Sequence, residues 1–232
     1  MKKELTKLEK DLKIKFKNKD LLQQAFVHRS YLNEHPEFKL GHNERLEFLG
    51  DAVLELVVTE YLFKRFPDDQ EGKLTNLRAS MVNTQMLAQL SEDLGLQNFL
   101  FLSRGEEKDQ NKKARESILA NTFESLVGAA YLDQGISVIK KFLEKIFDDK
   151  IPYIYENLLY VDPKSRFQEL SQDVYSITPH YKVLKEEGPD HDKIFTVGIY
   201  VDKDLIAKGK GGSKQIAQVE AAKKGLKKKK WQ

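Results

Sequence analysis

The 232-residue sequence contains no cysteine, one tryptophan and six prolines. Without cysteine the chain has no disulfide bonds, thiol nucleophiles or sulfur-ligated zinc sites, so any bound metal must be held by oxygen or by histidine nitrogen. No apolar run approaches the length of a membrane span, and the N-terminal residues lack the apolar core of a signal peptide. We therefore expect a cytoplasmic protein that has no membrane partner.

Charge is unevenly distributed along the chain. Residues 163–232 carry 15 Lys and Arg against 9 Asp and Glu, whereas residues 1–162 carry 24 against 27. An acidic first part joined to a basic last part suggests catalysis with cations in one and binding of a polyanion in the other. The length fits two domains of modest size, and the balance of 40% hydrophobic and 32% charged residues is that of a globular protein.

The spacing of apolar residues changes once along the chain. Over residues 1–147 it is helical, with predicted helices that include residues 43–66 and 137–147. After Pro163 it becomes that of a helix, three short strands and an alanine-rich helix, the last strand being expected at residues 205–208. We therefore predict two domains joined by a short linker, with the order residues 1–149, 150–162 and 163–232.

The most informative stretch is residues 43–55. Glu47 and Asp51 lie four residues apart, which places two carboxylates on one face of a helix. Like charges at that spacing destabilise a helix unless something positive lies between them, and Gly50 suggests that something approaches the backbone closely. A divalent cation with a bulky phosphate ligand explains all three features. A solvated acidic face is the alternative, and it is the commoner meaning of an isolated pair.

A second polar pair, Asn121 and Glu124, lies three residues apart in the helical stretch 117–126. The two stretches together resemble the signature blocks of the ribonuclease III family, whose second block carries Asp followed three residues later by Glu. The resemblance implies that Glu47, Asp51 and Glu124 are catalytic residues and metal ligands. It implies that position 121 supplies the fourth ligand.

Asn121 departs from the family pattern. Its side chain still offers a carbonyl oxygen, but it removes one of four negative charges from a site expected to hold Mg²⁺, which prefers carboxylate oxygen. The substitution therefore predicts weaker ion binding and a higher Mg²⁺ requirement without a change of shape. The alternative for Asn121 is an ordinary polar residue on a solvated helix face.

The resemblance also implies an architecture and a set of partners. The fold class is an all-α endonuclease domain followed by a small α+β double-stranded-RNA-binding domain of order α-β-β-β-α. The implied cofactor is Mg²⁺, with Mn²⁺ as a substitute, and the implied partners are double-stranded RNA and a second copy of the chain. Phe48 would pack across the dimer interface, although a monomer core is the more usual place for an aromatic residue. Glu44 and Glu71 are accessory acidic positions or simple surface charges.

Duplex RNA is recognised by shape, through contacts to 2′-hydroxyls and phosphates from separate regions of one protein face. The first region would be the helix after Pro163, the second the turn after the first strand, and the third the start of the last helix, where the helix dipole favours phosphate. The candidate RNA-binding residues in these regions are Gln168, Gln172, His191, Ser213 and Lys214.

Three other features have structural interpretations. His28 is expected to be a buried, hydrogen-bonded histidine and not a metal ligand or base. The glycine cluster at residues 209–213 lacks the spacing of a phosphate-binding loop. The lysines at residues 227–230 are expected to form a frayed, solvated tail, the alternative being that they add non-specific attraction for RNA.

Two functions fit the sequence. The first is a divalent-metal-dependent endoribonuclease that cleaves double-stranded RNA in the processing of ribosomal, messenger and structured RNA, leaving 5′-phosphate and 3′-hydroxyl ends, as the resemblance implies. The second is a double-stranded-RNA-binding form whose cleavage is impaired because Asn121 replaces the family's metal-binding Asp. A phosphohydrolase acting on small nucleotides would need no basic C-terminal domain.

Overall fold

The computed structural model of the chain describes residues 5–189 and 193–231. Contacts divide the chain into two compact units, Met1–Tyr160 and Val161–Gln232. Within the described residues, no helix is both long enough and apolar enough to cross a membrane.

The first unit is built from helices, which confirms the expected all-α class. One short 3₁₀ turn, Leu96–Phe99, accompanies them. In chain order the α-helices are α1 (Leu5–Leu12), α2 (Lys19–Gln24), α3 (Arg29–Glu34), α4 (Glu44–Arg65), α5 (Glu71–Val82), α6 (Thr84–Asp93), α7 (Arg104–Lys108), α8 (Lys112–Gln134) and α9 (Ile136–Glu156).

Helices α4 and α8 form the centre of this unit. Both bury apolar residues on several sides, including Leu54 and Leu62 on α4 and Phe123 and Leu126 on α8. A helix that is apolar over much of its circumference must be surrounded by other elements, and α5, α6 and α9 pack around this pair. The pair is therefore a rigid base for the polar side chains that it carries.

Hydrogen bonds to Asp133 connect the end of α8 to the start of α2. Its carboxylate accepts hydrogen bonds from the backbone amides of Lys17 at 2.7 Å and Asn18 at 2.8 Å. The Asn18 side chain in turn caps α2 by accepting from the amide of Asp20 at 3.0 Å. The N-terminal helices are thereby fixed against α8.

Helix α9 is longer than the sequence predicted. It begins at Ile136 and continues to Glu156 through Pro152, whereas the spacing of apolar residues suggested an end near residue 147. Proline costs helix stability because it lacks an amide proton, but Ile154 is fully buried on the same helix and offsets this cost. The segment expected as a linker, residues 150–162, therefore contains the last turns of α9.

The second unit contains two helices and a three-stranded antiparallel sheet in the strand order β1-β2-β3. On one side of the sheet Ile199, Val201 and Ile206 pack against Phe167 and the alanines of the last helix. The order of elements is α-β-β-β-α, as expected. They are α10 (Pro163–Tyr175), β1 (His180–Glu187), β2 (Ile194–Val201), β3 (Asp204–Gly211) and α11 (Lys214–Lys229).

Strand β3 includes most of the glycine cluster, so its predicted end near residue 208 was too early. A Cβ atom on Gly209 would overlap the backbone of α11 at Ala217 and Ala221. Glycine is needed here because the helix lies directly against the strand, and no phosphate has to be invoked.

The predicted frayed tail at residues 227–230 is wrong. Helix α11 continues to Lys229, and Trp231 packs against Phe167 and Tyr175 with ring centroids 5.2 and 5.8 Å apart. Lys229 also donates a hydrogen bond from Nζ to the Tyr175 hydroxyl at 2.9 Å. The aromatic contacts hold the end of the helix in place.

Candidate active site and RNA-binding residues

Helices α4 and α8 cross at two glycines. A Cβ atom on Gly50 would overlap the carbonyl oxygen of Glu124, and one on Gly128 would overlap the carbonyl oxygen of Leu46. The two backbones are therefore in direct contact, which only glycine permits. The interpretation that a bound phosphate approaches Gly50 is wrong, because its close neighbour is helix α8.

The crossing brings four polar side chains together: Glu47 and Asp51 from α4, and Asn121 and Glu124 from α8. Burial, followed by the negative charges of Asp51 and Glu47, raises the pKa of Glu124 to about 7. Burial and the charge of Glu44 raise the pKa of Glu47, while a hydrogen bond donated by the Asn121 amide lowers it in part. Carboxylates from both helices thus repel one another in a partly buried site.

These residues have the chemistry of a site for a hard divalent ion. They offer three carboxylates and one amide oxygen, the donors that Mg²⁺ prefers, and their mutual repulsion is the unfavourable charge that a cation would relieve. Among residues 5–189 and 193–231, no three Asp, Glu, His or Cys side chains form a ready-made metal cage. An ion would therefore have to draw the carboxylates together.

Asn43 holds the start of α4 in position, a role that the sequence did not reveal. It is only 4% exposed, and its Nδ2 donates to the carbonyl of Ala25 at 3.3 Å. Its carbonyl accepts from the hydroxyl of Ser125, the neighbour of Glu124, at 3.3 Å. A polar residue just before a helix normally indicates a cap, but the Asn43 side chain does not cap α4. It links the two helices that carry the carboxylates.

The two accessory carboxylates lie in different surroundings. Glu44 is exposed, lies 3.6 Å from Arg29, and is close enough to Glu47 for its charge to raise the pKa of that residue. Glu71 begins α5, where it is exposed and accepts a hydrogen bond from Thr75 within its own helix at 3.4 Å. Of the two, Glu44 is the one that acts electrostatically on the cluster.

His28 caps helix α3. Its Nδ1 accepts from the amide of Ser30 at 3.3 Å and lies 2.8 Å from the Ser30 hydroxyl. Burial is the largest influence on this imidazole, and it lowers the pKa. The histidine is hydrogen-bonded, as the structural interpretation expected, although it is only half-buried.

One face of α4 carries exposed apolar side chains. Phe48 is 82% exposed, Phe63 71% and Leu56 59%. An aromatic residue this exposed does not belong to the core of its own unit, so the monomer-core alternative for Phe48 is excluded. Large apolar side chains grouped on a single helix face are typical of protein interfaces.

The candidate RNA-binding residues of the second unit lie on helices α10 and α11. Gln168 and Gln172 are four residues apart on the exposed face of α10. Ser213 caps α11 by accepting from the amide of Ile216 at 3.2 Å, and Lys214 follows it at the positive end of the helix dipole. His191 lies outside the described residues.

Lys214 is held by its neighbours in this unit. Its Nζ lies 3.5 Å from Glu186 and 5.6 Å from the centre of the Phe195 ring. Both contacts keep the ammonium group near the start of α11, where a phosphate would also be attracted.

Two family descriptions match the chain. "Ribonuclease-III-like" matches residues 18–150, more than half of the sequence, and "Double-stranded RNA binding motif" matches residues 163–229. The chain belongs to the ribonuclease III family. It is an endoribonuclease whose second unit is a double-stranded-RNA-binding domain.

Full-length relatives agree with this assignment. The chain is 44% identical to Ribonuclease 3 of a Nitratiruptor species over 225 residues, which cover 97% of this chain and 96% of the relative. It is 42% identical to Ribonuclease 3 of Enterococcus faecalis over 225 residues, 96% of each chain. The crystal structure of the nuclease domain of ribonuclease III from Campylobacter jejuni, 40% identical, covers 66% of this chain and 98% of its own with a TM-score of 0.57.

Proposed function

We propose that this ribonuclease III cleaves double-stranded RNA with a divalent metal ion held by Glu47, Asp51, Asn121 and Glu124. The observation that carries the proposal is the raised pKa of Glu124, which results from burial and from the charges of Asp51 and Glu47. At this helix crossing several carboxylates lie together without a neighbouring positive charge among the described residues, and in a ribonuclease III such a site is suited to a cation. Mg²⁺ is the ion proposed, with Mn²⁺ as a substitute.

A bound divalent ion supplies an activated water and offsets the charge that develops on the scissile phosphate. Glu47, Asp51 and Glu124 are the catalytic residues, because their carboxylates would hold the ion. The Asn121 amide would hydrogen-bond to Glu47 and so help to orient that carboxylate. Attack of water on phosphorus breaks the bond to the 3′-oxygen, which leaves a 3′-hydroxyl on one product and a 5′-phosphate on the other. The proposed substrates are ribosomal, messenger and other structured RNAs of the cytoplasm.

The test is cleavage of a labelled duplex RNA over a series of Mg²⁺ and Mn²⁺ concentrations. The endonuclease proposal expects products that depend on the metal. The Asn121 amide interacts with Glu47 but contributes no negative charge to the site. This neutral side chain supports a second candidate function, namely duplex binding with impaired cleavage. That function is supported if the chain binds duplex without cutting it at any metal concentration while the Asn121→Asp variant cuts.

Asn121→Asp should lower the Mg²⁺ concentration needed for half-maximal cleavage by about tenfold, because it adds a fourth negative charge where the ion binds. The measurement is the initial cleavage rate of a labelled duplex as a function of Mg²⁺ for both proteins. An unchanged Mg²⁺ requirement, or efficient cleavage by the unsubstituted chain at ordinary Mg²⁺ levels, would contradict the role given to Asn121.

We further propose that this ribonuclease III is a homodimer whose interface contains the exposed face of α4. A solved Campylobacter jejuni nuclease domain, 40% identical with a TM-score of 0.56, is described as having a flexible region involved in dimer formation. In this chain Phe48, Leu56 and Phe63 supply an unpartnered apolar surface of the kind that a second copy would cover.

Phe48→Glu should weaken dimerisation at least about 100-fold, because buried aromatic anchors dominate interface energies and a buried, unpaired carboxylate opposes association. Sedimentation equilibrium over a range of protein concentrations measures the change. Leu132→Glu is the matched control, since Leu132 is a 55% exposed apolar residue on α8. A Phe48→Glu protein that remains dimeric at the same concentrations as the Leu132→Glu protein would contradict the interface.

Gln168, Gln172, Ser213 and Lys214 are proposed as duplex contacts, together with His191. Lys214→Ala should weaken duplex binding several-fold and reduce the salt slope by roughly one, whereas Gln168→Ala should weaken binding with little change in salt slope. Fluorescence anisotropy with an uncleavable duplex at several salt concentrations separates the two effects. Equal salt slopes for Lys214→Ala and the natural protein would show that this lysine does not meet a phosphate.

A further inference from the structure

The sheet of the double-stranded-RNA-binding domain has a second face that neither α10 nor α11, the two helices described in this unit, covers. Helix α11 packs on β2 and β3, and the buried side chains Val197, Ile199 and Val201 alternate along β2 toward that side. The residues between them, Thr196, Gly198 and Tyr200, therefore point to the opposite side. We call this side the outer face. Of the duplex contacts proposed above that the structure describes, Gln168 and Gln172 lie on α10, Lys214 begins α11 and Ser213 caps it, so the outer face is a separate surface from these residues.

The middle of the outer face is apolar. Gly198 lies at its centre, and a Cβ atom built on it would lie 2.8 Å from Leu205 Cδ1, 2.9 Å from Tyr200 Cε2 and 3.1 Å from Leu184 Cδ1. These three side chains therefore close over the glycine. Leu184 and Leu205 are each 37% exposed, so the platform that they form faces solvent.

Lysines lie on both sides of this platform. The register places Lys182 and Lys208 opposite Gly198 on its two neighbouring strands, and it places Lys185 and Lys210 opposite Thr196. All four lysines are exposed. Lys185 pairs with Glu187 at 2.6 Å, and the nearby charge of Lys210 also lowers the pKa of Glu187. Lys182 and Lys208 form no ion pair within the part of the chain that the structure describes, so their charges are available to a ligand.

One end of the outer face carries stacked aromatic rings. His180 and Tyr200 are directly opposite in the register, and their rings are 12° from parallel with centroids 5.3 Å apart. His180 is exposed, so the stack ends in solvent. A planar aromatic ring or nucleobase could extend it.

We propose that the outer face binds unpaired, single-stranded RNA. Proteins that bind single strands combine cationic side chains along the backbone path with aromatic rings on which bases stack, and the outer face has both. The apolar platform would accept base or ribose surface between the two rows of lysines. An acidic protein partner would satisfy the lysines but would leave the His180–Tyr200 stack without a function. The proposal does not depend on the cleavage activity, and it gives the enzyme a surface for single-stranded segments next to a duplex.

The test measures by fluorescence anisotropy how tightly the full chain binds a labelled, unpaired RNA in the presence of EDTA. The RNA has about 12 nucleotides, which is within the usual site size of such proteins. Binding of an uncleavable duplex is measured in parallel. Lys182→Glu combined with Lys208→Glu should weaken single-strand binding at least about tenfold and lower its salt slope by roughly 1.4 for two lost phosphate contacts. Tyr200→Ala should weaken it by roughly tenfold through lost stacking, whereas Tyr200→Phe keeps the ring and should stay within about twofold. Duplex affinity should change less than about threefold in each case.

Lys223→Glu combined with Lys228→Glu is the matched control, because it makes the same charge change on the exposed side of α11. Thermal unfolding of each variant identifies any loss of fold, and the lysine variants keep the test valid if Tyr200→Ala does not fold. The proposal would be overturned if the unsubstituted chain does not bind the single strand, or if the sheet variants and the control variant bind it equally well. It would also be overturned if the sheet variants lose duplex binding together with single-strand binding. Displacement of the RNA by an acidic peptide of equal charge, with no effect of Tyr200→Ala, would assign the face to an acidic protein and overturn it as well.

Discussion

Glu124→Gln should lower the rate of duplex cleavage on the order of 10³-fold while leaving duplex binding within about twofold. The glutamine keeps the shape of the side chain but removes a charge that would hold the divalent ion, and metal charge stabilisation amounts to several kcal/mol. The double-stranded RNA binding motif and the proposed duplex contacts lie in the other unit, so affinity for uncleaved RNA should be preserved. Single-turnover cleavage and anisotropy measure the two quantities.

The same variant should be more stable than the natural protein above neutral pH in the absence of metal. The folded-state pKa of Glu124 is raised to about 7 from its ordinary value of 4.5, so its charged form destabilises the fold. This destabilisation is absent below pH 4.5, grows as the pH rises, and is complete above pH 7. Removing the charge should therefore raise the free energy of unfolding on the order of 1 to 2 kcal/mol at about pH 8, after allowance for solvent screening.

Glu116→Gln is the control for both measurements. Glu116 lies two turns earlier on α8 and pairs with Lys112 at 3.7 Å, so this variant makes the same chemical change away from the cluster. If the Glu124→Gln protein cleaves duplex RNA at a rate within tenfold of the Glu116→Gln protein, Glu124 is not a residue of the active site.

Gly50→Ala should destabilise the first unit by about 3 kcal/mol or more. The added methyl group would overlap the carbonyl oxygen of Glu124, and a helix backbone cannot move aside as a flexible side chain can. This loss would exceed the gain of about 1 kcal/mol that alanine normally brings to a helix over glycine. Because the helices that carry the carboxylates must separate, cleavage should fall in any molecules that remain folded. Chemical denaturation and cleavage measure the two effects.

Gly72→Ala provides the matched control, because Gly72 lies in helix α5 and a Cβ atom there meets nothing within 4 Å. It should leave stability unchanged or raise it by up to about 1 kcal/mol. Similar unfolding free energies for the two alanine variants would mean that α4 and α8 do not approach as closely as the structure indicates.

The sequence predicted which residues come together in the cluster better than it predicted how their helices pack. The four-residue spacing of Glu47 and Asp51 fixes them on one helix face, and Glu124 follows from the second block of the family. Gly50 was interpreted wrongly, because a glycine beside carboxylates indicates close approach but not which group approaches. The partner, helix α8, begins at Lys112, far along the chain from Gly50, so only the fold reveals it.

Asn43 and helix α9 show the other limits of sequence reasoning. Asn43 has the local appearance of a helix cap, yet its side chain binds a distant carbonyl, because long-range contacts decide which partner a buried amide finds. Helix α9 passes through Pro152, where local propensity predicts an end, because burial of Ile154 outweighs the cost. In both cases tertiary packing overrides what the local sequence favours.

The measurement that most directly tests the central claim is calorimetric titration of Mn²⁺ into the metal-free full chain without RNA. If the α4–α8 crossing gathers Glu47, Asp51, Asn121 and Glu124 into a metal centre, the natural chain and the Glu116→Gln variant should show the same saturable binding. Glu124→Gln should then weaken that binding at least about tenfold. Equal Mn²⁺ affinity in the Glu124→Gln and natural proteins would contradict the account.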